Sequence, residues 1–294
     1  MISALIAAHN AAPYIRKTLS SLEQQTFKEF EVVVIDDFST DETPSIVNDY
    51  VQKSSMQIKL IRLNSNCGVA CVRNKCLDEA RGDYLYFVDA DDWLEPDAFR
   101  MFDSAIKSSR PDVLACNFFM GEKDAVKISV ESVDEYRKNC IAGKWAVVWR
   151  HVFRKSFLVD EKITFPSNVN GGEDYFFVSK SIVLAKKISF LDEYAYHYRI
   201  DNAGSLMRSV NLSGLKDQFL ATELVRNFLQ TVNNDAYDES LNLRILYLKK
   251  ELFKTSLKAW KCWKPEANGL MLHKKIALKD KVVFFVLKFL SRLL

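Results

Sequence analysis

The chain has 294 residues, 48% of them apolar and 27% charged, a composition that excludes a disordered or collagen-like protein. Nine glycines and six prolines also exclude a linker-rich or low-complexity one. The net charge of +3 hides two unlike regions: from Leu241 onward 13 lysines and arginines face 3 acids, whereas the preceding residues hold 28 basic against 35 acidic groups.

In chain order, Ile2 to Ala8 is an apolar run of strand length, and Pro13 to Gln25 places Ile15, Leu19 and Leu22 on one helical face. Glu31 to Ile35 is a β-branched strand ending on Asp36-Asp37, followed by Thr43-Pro44 as N-cap and N1 proline of a helix. Ile58 to Leu63 reads as a third strand, and Val69 to Ala80 as a helix closed by Gly82. Tyr84 to Val88 is a fourth strand, again ending in carboxylates; Pro96 to Ser108 is a helix and Val113 to Phe119 a fifth strand. This β-α-β alternation predicts a mostly parallel sheet with helices on both faces, binding its ligand beyond the carboxyl ends of the strands. Met120 to Arg150 shows no regular pattern. A helix is predicted from Tyr175 to Ala185, short strands at Ile188 to Leu191 and Tyr194 to Arg199, and helices from Leu215 onward with a break near Pro265 and Gly269.

The six cysteines (67, 71, 76, 116, 140 and 262) form no CxxC and have no histidine at zinc-ligand spacing, so reduced thiols are expected rather than a metal site or a disulfide framework. The opening MISALIAAHN lacks a basic region and is too short in its apolar part for a signal peptide. No run of about 18 apolar residues is present to span a bilayer.

The chemistry concentrates in acids. Tyr84 to Asp92 delivers Asp89, Asp91 and Asp92 from the end of an apolar strand. Carboxylates so crowded repel one another and suit a divalent cation that also bridges phosphate oxygens, Mg²⁺ or Mn²⁺. Asp36-Asp37 ends the second strand, where an acid commonly meets a ribose hydroxyl or base N–H of a nucleotide. The alternative for each is a solvated acidic turn. Gly171-Gly172-Glu173-Asp174 opens a helix, either as an acidic N-terminus without chemistry or as a place where backbone approaches a sugar. No GxGxxG or GxxxxGK[ST] is present, which argues against a dinucleotide fingerprint, a P-loop and a nucleotidyltransferase. Trp145 and Trp149 read as core more than as sugar-stacking residues.

The segment from Leu5 to Val47, with Asn66-Cys67-Gly68, Ala70, Arg73-Asn74, Ala80-Arg81-Gly82 and FVDADDW, resembles the opening of family 2 glycosyltransferases of the GT-A fold, of the bacterial surface-polysaccharide type. Gly172-Glu173-Asp174, Tyr196-His197-Tyr198-Arg199 and Gly204-Ser205 continue it over roughly the first 210 residues. The resemblance implies a Rossmann-like catalytic domain over residues 1–214, and charge and helical spacing add a helical, basic amphipathic region over 215–294. It implies that Asp37 contacts the nucleobase, with Asp36 beside it, and that Ala7 and His9 line the base pocket. Asp89 and Ala90 would lie near the donor ribose, Arg73 and Asn74 near the donor, and Arg199 or His197 at the diphosphate. Asp91 would hold the metal, and Asp174 would be the catalytic base with Glu173 adjacent.

The expected activity is an inverting, metal-dependent transfer of a sugar from a nucleotide donor, UDP-linked, to a glycan or lipid-linked acceptor in cell-surface polysaccharide synthesis. The alternative is a non-catalytic sugar-nucleotide-binding or scaffold subunit of a membrane glycan-assembly complex. Lys250, Lys254, Lys258 and Lys261 on one helical side, and Lys281, Lys288 and Arg292 on another, oppose Trp, Phe and Leu. That pattern predicts peripheral attachment to the inner face of the cell membrane from the cytoplasm, with a basic lid packed on the body as the alternative. No nucleic-acid motif accompanies the charge.

Overall fold

Strand β1 (Ile2–Ala8) is buried on both faces and holds the sheet between β2 (Phe30–Asp36) and β4 (Tyr84–Phe87), with β3 (Gln57–Arg62) beyond β2. These four strands pair in parallel through the crossover helices α1 (Ile15–Glu23), α2 (Thr43–Lys53) and α3 (Val69–Glu79). The computed structural model describes residues 1–202, 212–232, 235–253, 276, 280, 281 and 283. In it the sheet has nine strands, ordered β3-β2-β1-β4-β8-β6-β9-β5 with β7 on β6. The second half comprises β5 (Trp93–Leu94), β6 (Val113–Met120), β7 (Asp124–Val126), β8 (His151–Arg154) and β9 (Ile188–Tyr198). β6 and β9 run parallel, while β8 enters antiparallel between β4 and β6.

Alternation of period two divides the apolar residues into two cores. Ile2, Ala4, Ile6, Val32 and Val34 face α1, α2 and α4 (Ala98–Ser109). Leu5, Val33, Ile35 and Phe87 face α3, α5 (Val133–Ile141) and α7 (Glu173–Leu184). Short α6 (Lys155–Asp160) follows β8. α8 (Leu212–Thr231) and α9 (Asp238–Phe253) join this second core through Ala221, Val225, Leu241, Ile245 and Leu246.

Several local expectations change. The stretch expected to be irregular contains β7 and α5, whose Ser132 hydroxyl accepts the Glu135 N–H at 3.1 Å while Glu135 accepts the Glu131 N–H at 2.8 Å. This is a Ser-x-x-Glu N-terminus in which Ser132 caps the helix and Glu135 reaches back one residue further, to the N–H before the cap. The two strands expected between 188 and 199 are one strand whose register slips opposite Cys116 and Asn117. Asn117 satisfies the irregularity, donating to Asp192 O at 2.8 Å and accepting from Ile128 N–H at 2.7 Å. Thr43 lies inside α2 rather than capping it, because its hydroxyl accepts the Ala11 N–H at 2.8 Å.

Cys67 and Cys71 form a disulfide, where reduced thiols were expected. The first lies just before α3 and the second in its first turn, with Cα atoms 5.8 Å apart, within the span of such a bond. Cys76, Cys116 and Cys140 are free and buried, and Cys262 lies outside the described residues. So do Gly204, Ser205 and the basic stripe from Lys254 onward, apart from Lys281. Lys250 of that stripe is not left to solvent: it pairs with Asp280 at 2.6 Å. Among the described residues no helix is long and apolar enough to cross a membrane.

Gly82 does not cap α3, which ends at Glu79 with Ala80 extended. Its N–H donates to Ser3 Oγ at 2.8 Å, and Ser3 Oγ donates to Glu31 Oε1 at 2.6 Å. A Cβ on Gly82 would lie 2.6 Å from Ser3 Oγ and 2.8 Å from Ser3 N, so the position demands glycine for close approach. Gly82→Ala is expected to cost about 2 kcal/mol, read as a lower urea midpoint at unchanged m-value; an unaltered midpoint would contradict this account.

Candidate active site

The carboxyl ends of β1 and β2 and the loop into α3 open onto a cleft of about 540 Å³ lined by Ala7, Ala8, His9, Asp37, Asn66, Cys67, Gly68, Val69, Val72 and Asn170. Asp37 lies just past β2. Its two carboxylate oxygens accept the N–H groups of Cys67 at 2.8 Å and Gly68 at 3.0 Å, so it fixes the loop leading into α3. His9 Nδ1 donates to Asp37 O at 2.8 Å, and its Nε2 accepts from Asn10 Nδ2 at 3.2 Å, a network that assigns the tautomer. Next to Asp37, Phe38 is 44% exposed with φ of 59°, a backbone conformation that strains a bulky side chain. Asp36 is turned away from the cleft. It is fully buried, accepts the Ser39 N–H at 3.2 Å and pairs with Arg62 at 3.4 Å.

Above β4 the acids are joined by one arginine. Arg73, on α3, is nearly buried and donates to Glu173 Oε1 at 2.6 Å and to Asp89 Oδ1 at 3.1 Å. Burial alone would lower its pKa, but Asp89, Glu173 and Asp174 more than offset this and hold it above its usual value. Glu173 is therefore committed to the arginine, with a side chain only 9% exposed. Asp174 is outside that pairing and accepts the N–H of its neighbour Tyr175 at 2.7 Å. Burial first, then the Glu173 charge, push its carboxyl up to about 7 against the opposing pull of Arg73. Gly172 places both acids: it sits before α7 with φ of 95°, and a Cβ there would lie 3.1 Å from Ala221 of α8. Only glycine satisfies that conformation without strain. Asn74, expected near the donor, instead clamps the Phe165 backbone, donating to its O at 2.9 Å and accepting from its N–H at 2.8 Å.

The Asp89-Ala90-Asp91-Asp92 turn is braced from beneath. Thr18 Oγ1 donates to Ala90 O at 3.0 Å and Asp92 O at 2.7 Å, and Ala90 is buried in the core facing α1. Asp92 is buried and accepts from Tyr196 OH at 2.5 Å and from the Arg199 N–H at 2.7 Å. Burial, then the charges of Asp89 and Asp91, push it up to about 8. Asp91 accepts from Asn202 Nδ2 at 2.7 Å, and its backbone O accepts from Arg199 Nε at 2.6 Å. Arg199 also stands 5.1 Å from the Trp93 ring, which carries Lys17 Nζ at 3.2 Å. His197, the other candidate for a phosphate, is buried instead between Gly121 O at 2.9 Å and Glu95 Oε1 at 2.6 Å and stacks on Trp93. Trp149 is core, stacked on Tyr196, and Trp145 stacks on Tyr136.

Among the described residues no three His, Cys, Asp or Glu side chains converge as a protein-only metal cage. The donor set fits Mg²⁺ or Mn²⁺ of another kind, bound by one or two carboxylates with phosphate and water completing the shell. Burial first, then neighbouring carboxylate charge that includes Asp91, raises Asp89 and Asp92 above the usual carboxylate range, and the excess of negative charge suits a cation. Asp91, half-buried like Asp89 and outside the Arg73 pairing, would hold it, with Asp89 adjacent.

Lys17, Asn170 and Asn202 carry no local sequence signal for their place at the site. Trp93 and Tyr196 lie within the family-like motifs, but only folding shows which way they face and that Tyr196 bonds Asp92.

A mostly parallel α/β sheet with acids at its carboxyl ends and a glycine-led helix delivering another acid is the GT-A architecture. Residues 3–157, just over half the chain, match glycosyl transferase family 2, and the chain belongs to that family. It is 30% identical over 220 residues to the putative glycosyltransferase EpsH of Bacillus subtilis, covering 70% of this chain and 63% of that one. It is 31% identical over 215 residues to the poly(ribitol-phosphate) beta-N-acetylglucosaminyltransferase TarS of Staphylococcus aureus, covering 72% and 37%. The chain thus spans less than two thirds of these relatives. A crystal structure of S. aureus TarS 1–349 in complex with UDP-GlcNAc aligns with a TM-score of 0.69 at 25% identity, covering 97% of this chain and 79% of that one.

Arg73→Met leaves Glu173 buried and the half-buried Asp89 without their cation and is expected to cost about 3 kcal/mol in urea unfolding. Adding Glu173→Gln to it should recover part of that loss, because one unpaired charge is removed; a purely additive double mutant would contradict the ion-pair account.

Proposed function

We propose that the protein is an inverting, metal-dependent glycosyltransferase that moves a sugar from a UDP-linked donor to a glycan or lipid-linked acceptor in cell-surface polysaccharide synthesis. The observation that carries this reading is the placement of Asp174 at the start of α7, free of the arginine pairing and beside the Arg73-held Asp89 and Glu173, where burial raises its carboxyl to about 7. A general base works best with a pKa near the operating pH. The UDP-GlcNAc complex of TarS supports the choice of donor class.

In this reading Ala7, His9 and Asp37 line the base subsite and Asp89 meets the ribose. Asp91 holds Mg²⁺ or Mn²⁺, which supplies Lewis-acid stabilisation of the leaving diphosphate. Arg199 and Lys17 add positive charge on that side. Glu173 orients Arg73 rather than touching substrate. Asp174 takes the proton of the attacking acceptor hydroxyl, and a single displacement inverts the anomeric centre. The basic residues beyond Phe253 are proposed to attach the enzyme to the inner face of the cell membrane.

UDP release from UDP-sugars with Mn²⁺ tests the activity. Asp91→Ala is expected to abolish metal-dependent turnover. Asp174→Asn should cut kcat by about 10²–10⁴-fold while donor affinity stays within about threefold, since it removes a proton acceptor and no binding group. Because a protonated Asp174 cannot act as base, kcat/KM should rise with pH and level off above about 7. No binding of any nucleotide sugar with Mg²⁺ or Mn²⁺ would end this reading, and unchanged turnover in Asp174→Asn would favour a non-catalytic subunit. Membrane attachment predicts that the full chain floats with vesicles containing anionic lipid and that removal of residues after Trp263 leaves it in the pellet fraction; equal flotation would refute it.

A further inference from the structure

Cys67 stands at the cleft and is bridged to Cys71, yet neither sulfur has a part in the transfer just described. Cys67 lines the cleft and is exposed, and its N–H together with that of Gly68 holds both oxygens of Asp37. Cys71 belongs to the first turn of α3, whose Ala70 and Val72 are buried in the core. The bridge therefore ties the loop that grips Asp37 to a helix fixed by packing. The other described thiols are shielded: Cys76, Cys116 and Cys140 are buried, and burial pushes each up to about 12. Thiols in that state are poor nucleophiles, and reactivity follows exposure and thiolate character.

We propose that Cys67 and Cys71 form a reversible thiol-modification site, reacting with small thiols and disulfides, that sets the competence of the base subsite. The proposal rests on the reading of the cleft as a nucleotide subsite. In reduction, a small thiolate attacks one sulfur and breaks the Cys67–Cys71 bond. A second small thiol resolves the mixed disulfide. The protein gains two electrons and two protons as two cysteine thiols, and the two small thiols leave as their disulfide. Oxidation is the reverse, with a small disulfide taking the two electrons and leaving as two thiols. The direction of control follows from preorganisation. With the bridge closed, the amides of Cys67 and Gly68 are held where Asp37 needs them before any ligand arrives. With it open, binding must order the loop. An exposed bridge is also the kind that small thiols reach.

The test compares the full chain in its oxidised and dithiothreitol-reduced forms, with the state of each cysteine mapped by iodoacetamide labelling and peptide mass. Two readouts are taken: amide hydrogen exchange over residues 66–72, and the affinity for UDP in the presence of Mg²⁺. Reduction is expected to speed exchange in that segment and to weaken UDP binding by about three- to tenfold. Cys71→Ser should behave like the reduced form and be indifferent to dithiothreitol, which separates the bridge from other effects of the reductant. Equal exchange in the two forms, or equal UDP affinity, overturns the redox coupling. UDP bound by neither form instead overturns the assigned function, and the exchange comparison still decides whether the bridge holds the loop.

Discussion

One buried arginine organises the site. Arg73 lies on α3, yet it bonds Asp89 at the end of β4 and Glu173 at the start of α7, 16 and 100 residues away in sequence. A buried guanidinium is tolerable only with full pairing, and its two carboxylates are tolerable only with the guanidinium. The three groups therefore fix one another, and with them the distance between the strand-end acids and the helix that carries Asp174. The pairing also divides labour between adjacent carboxylates. Glu173 is spent on Arg73, so Asp174 keeps the raised pKa that burial and its neighbour impose. Two acids that look alike in sequence thus acquire different chemistry from one contact.

The acidic turn after β4 is held by the second half of the sheet in the same manner. Asp92 is turned inward to Tyr196 and the Arg199 backbone, Thr18 anchors the turn from α1, and Asp91 is left at the edge beside Asn202. Short β5 pairs with β9 at Trp93 and Leu94, which brings the aromatic and cationic group of Trp93, Lys17 and Arg199 next to Asp91. A mixed sheet is what makes this possible: the parallel half supplies the acids, and the antiparallel insertions carry residues from late in the chain back over them.

The helices after Leu212 belong to the same construction. α8 presses Ala221 and Gln218 against Gly172, and Arg244 of α9 donates to Thr222 at 3.1 Å, also bonds Gln218, and lies 3.5 Å over the Tyr175 ring. Part of the basic charge of the C-terminal region is thereby used internally: Arg244 and Lys249 are buried, and Lys250 is paired with Asp280. The contrast between an acidic body and a basic extension that marked the sequence is in this segment a matter of packing as well as of surface.

The sequence by itself determined the β-α-β order of the first 118 residues except the two-residue β5, the acids at strand ends and the family to which the chain belongs. These are local signals: apolar period, turn residues and motifs a few residues long. The Ser132-x-x-Glu135 signal of α5 is also local, but it stands in a stretch without a clear apolar period, and α5 became legible only in the structure. The tertiary structure alone decided that Asp36 faces Arg62 while Asp37 faces the cleft, that Asn74 serves the Phe165 backbone, and that His197 is core. It also inserted β8 between β4 and β6 and joined Cys67 to Cys71. The reason is that a residue type specifies what a side chain can do, whereas its partner is set by which distant segment folds over it. Where burial makes an unpaired charge or polar group costly, that partner fixes the role.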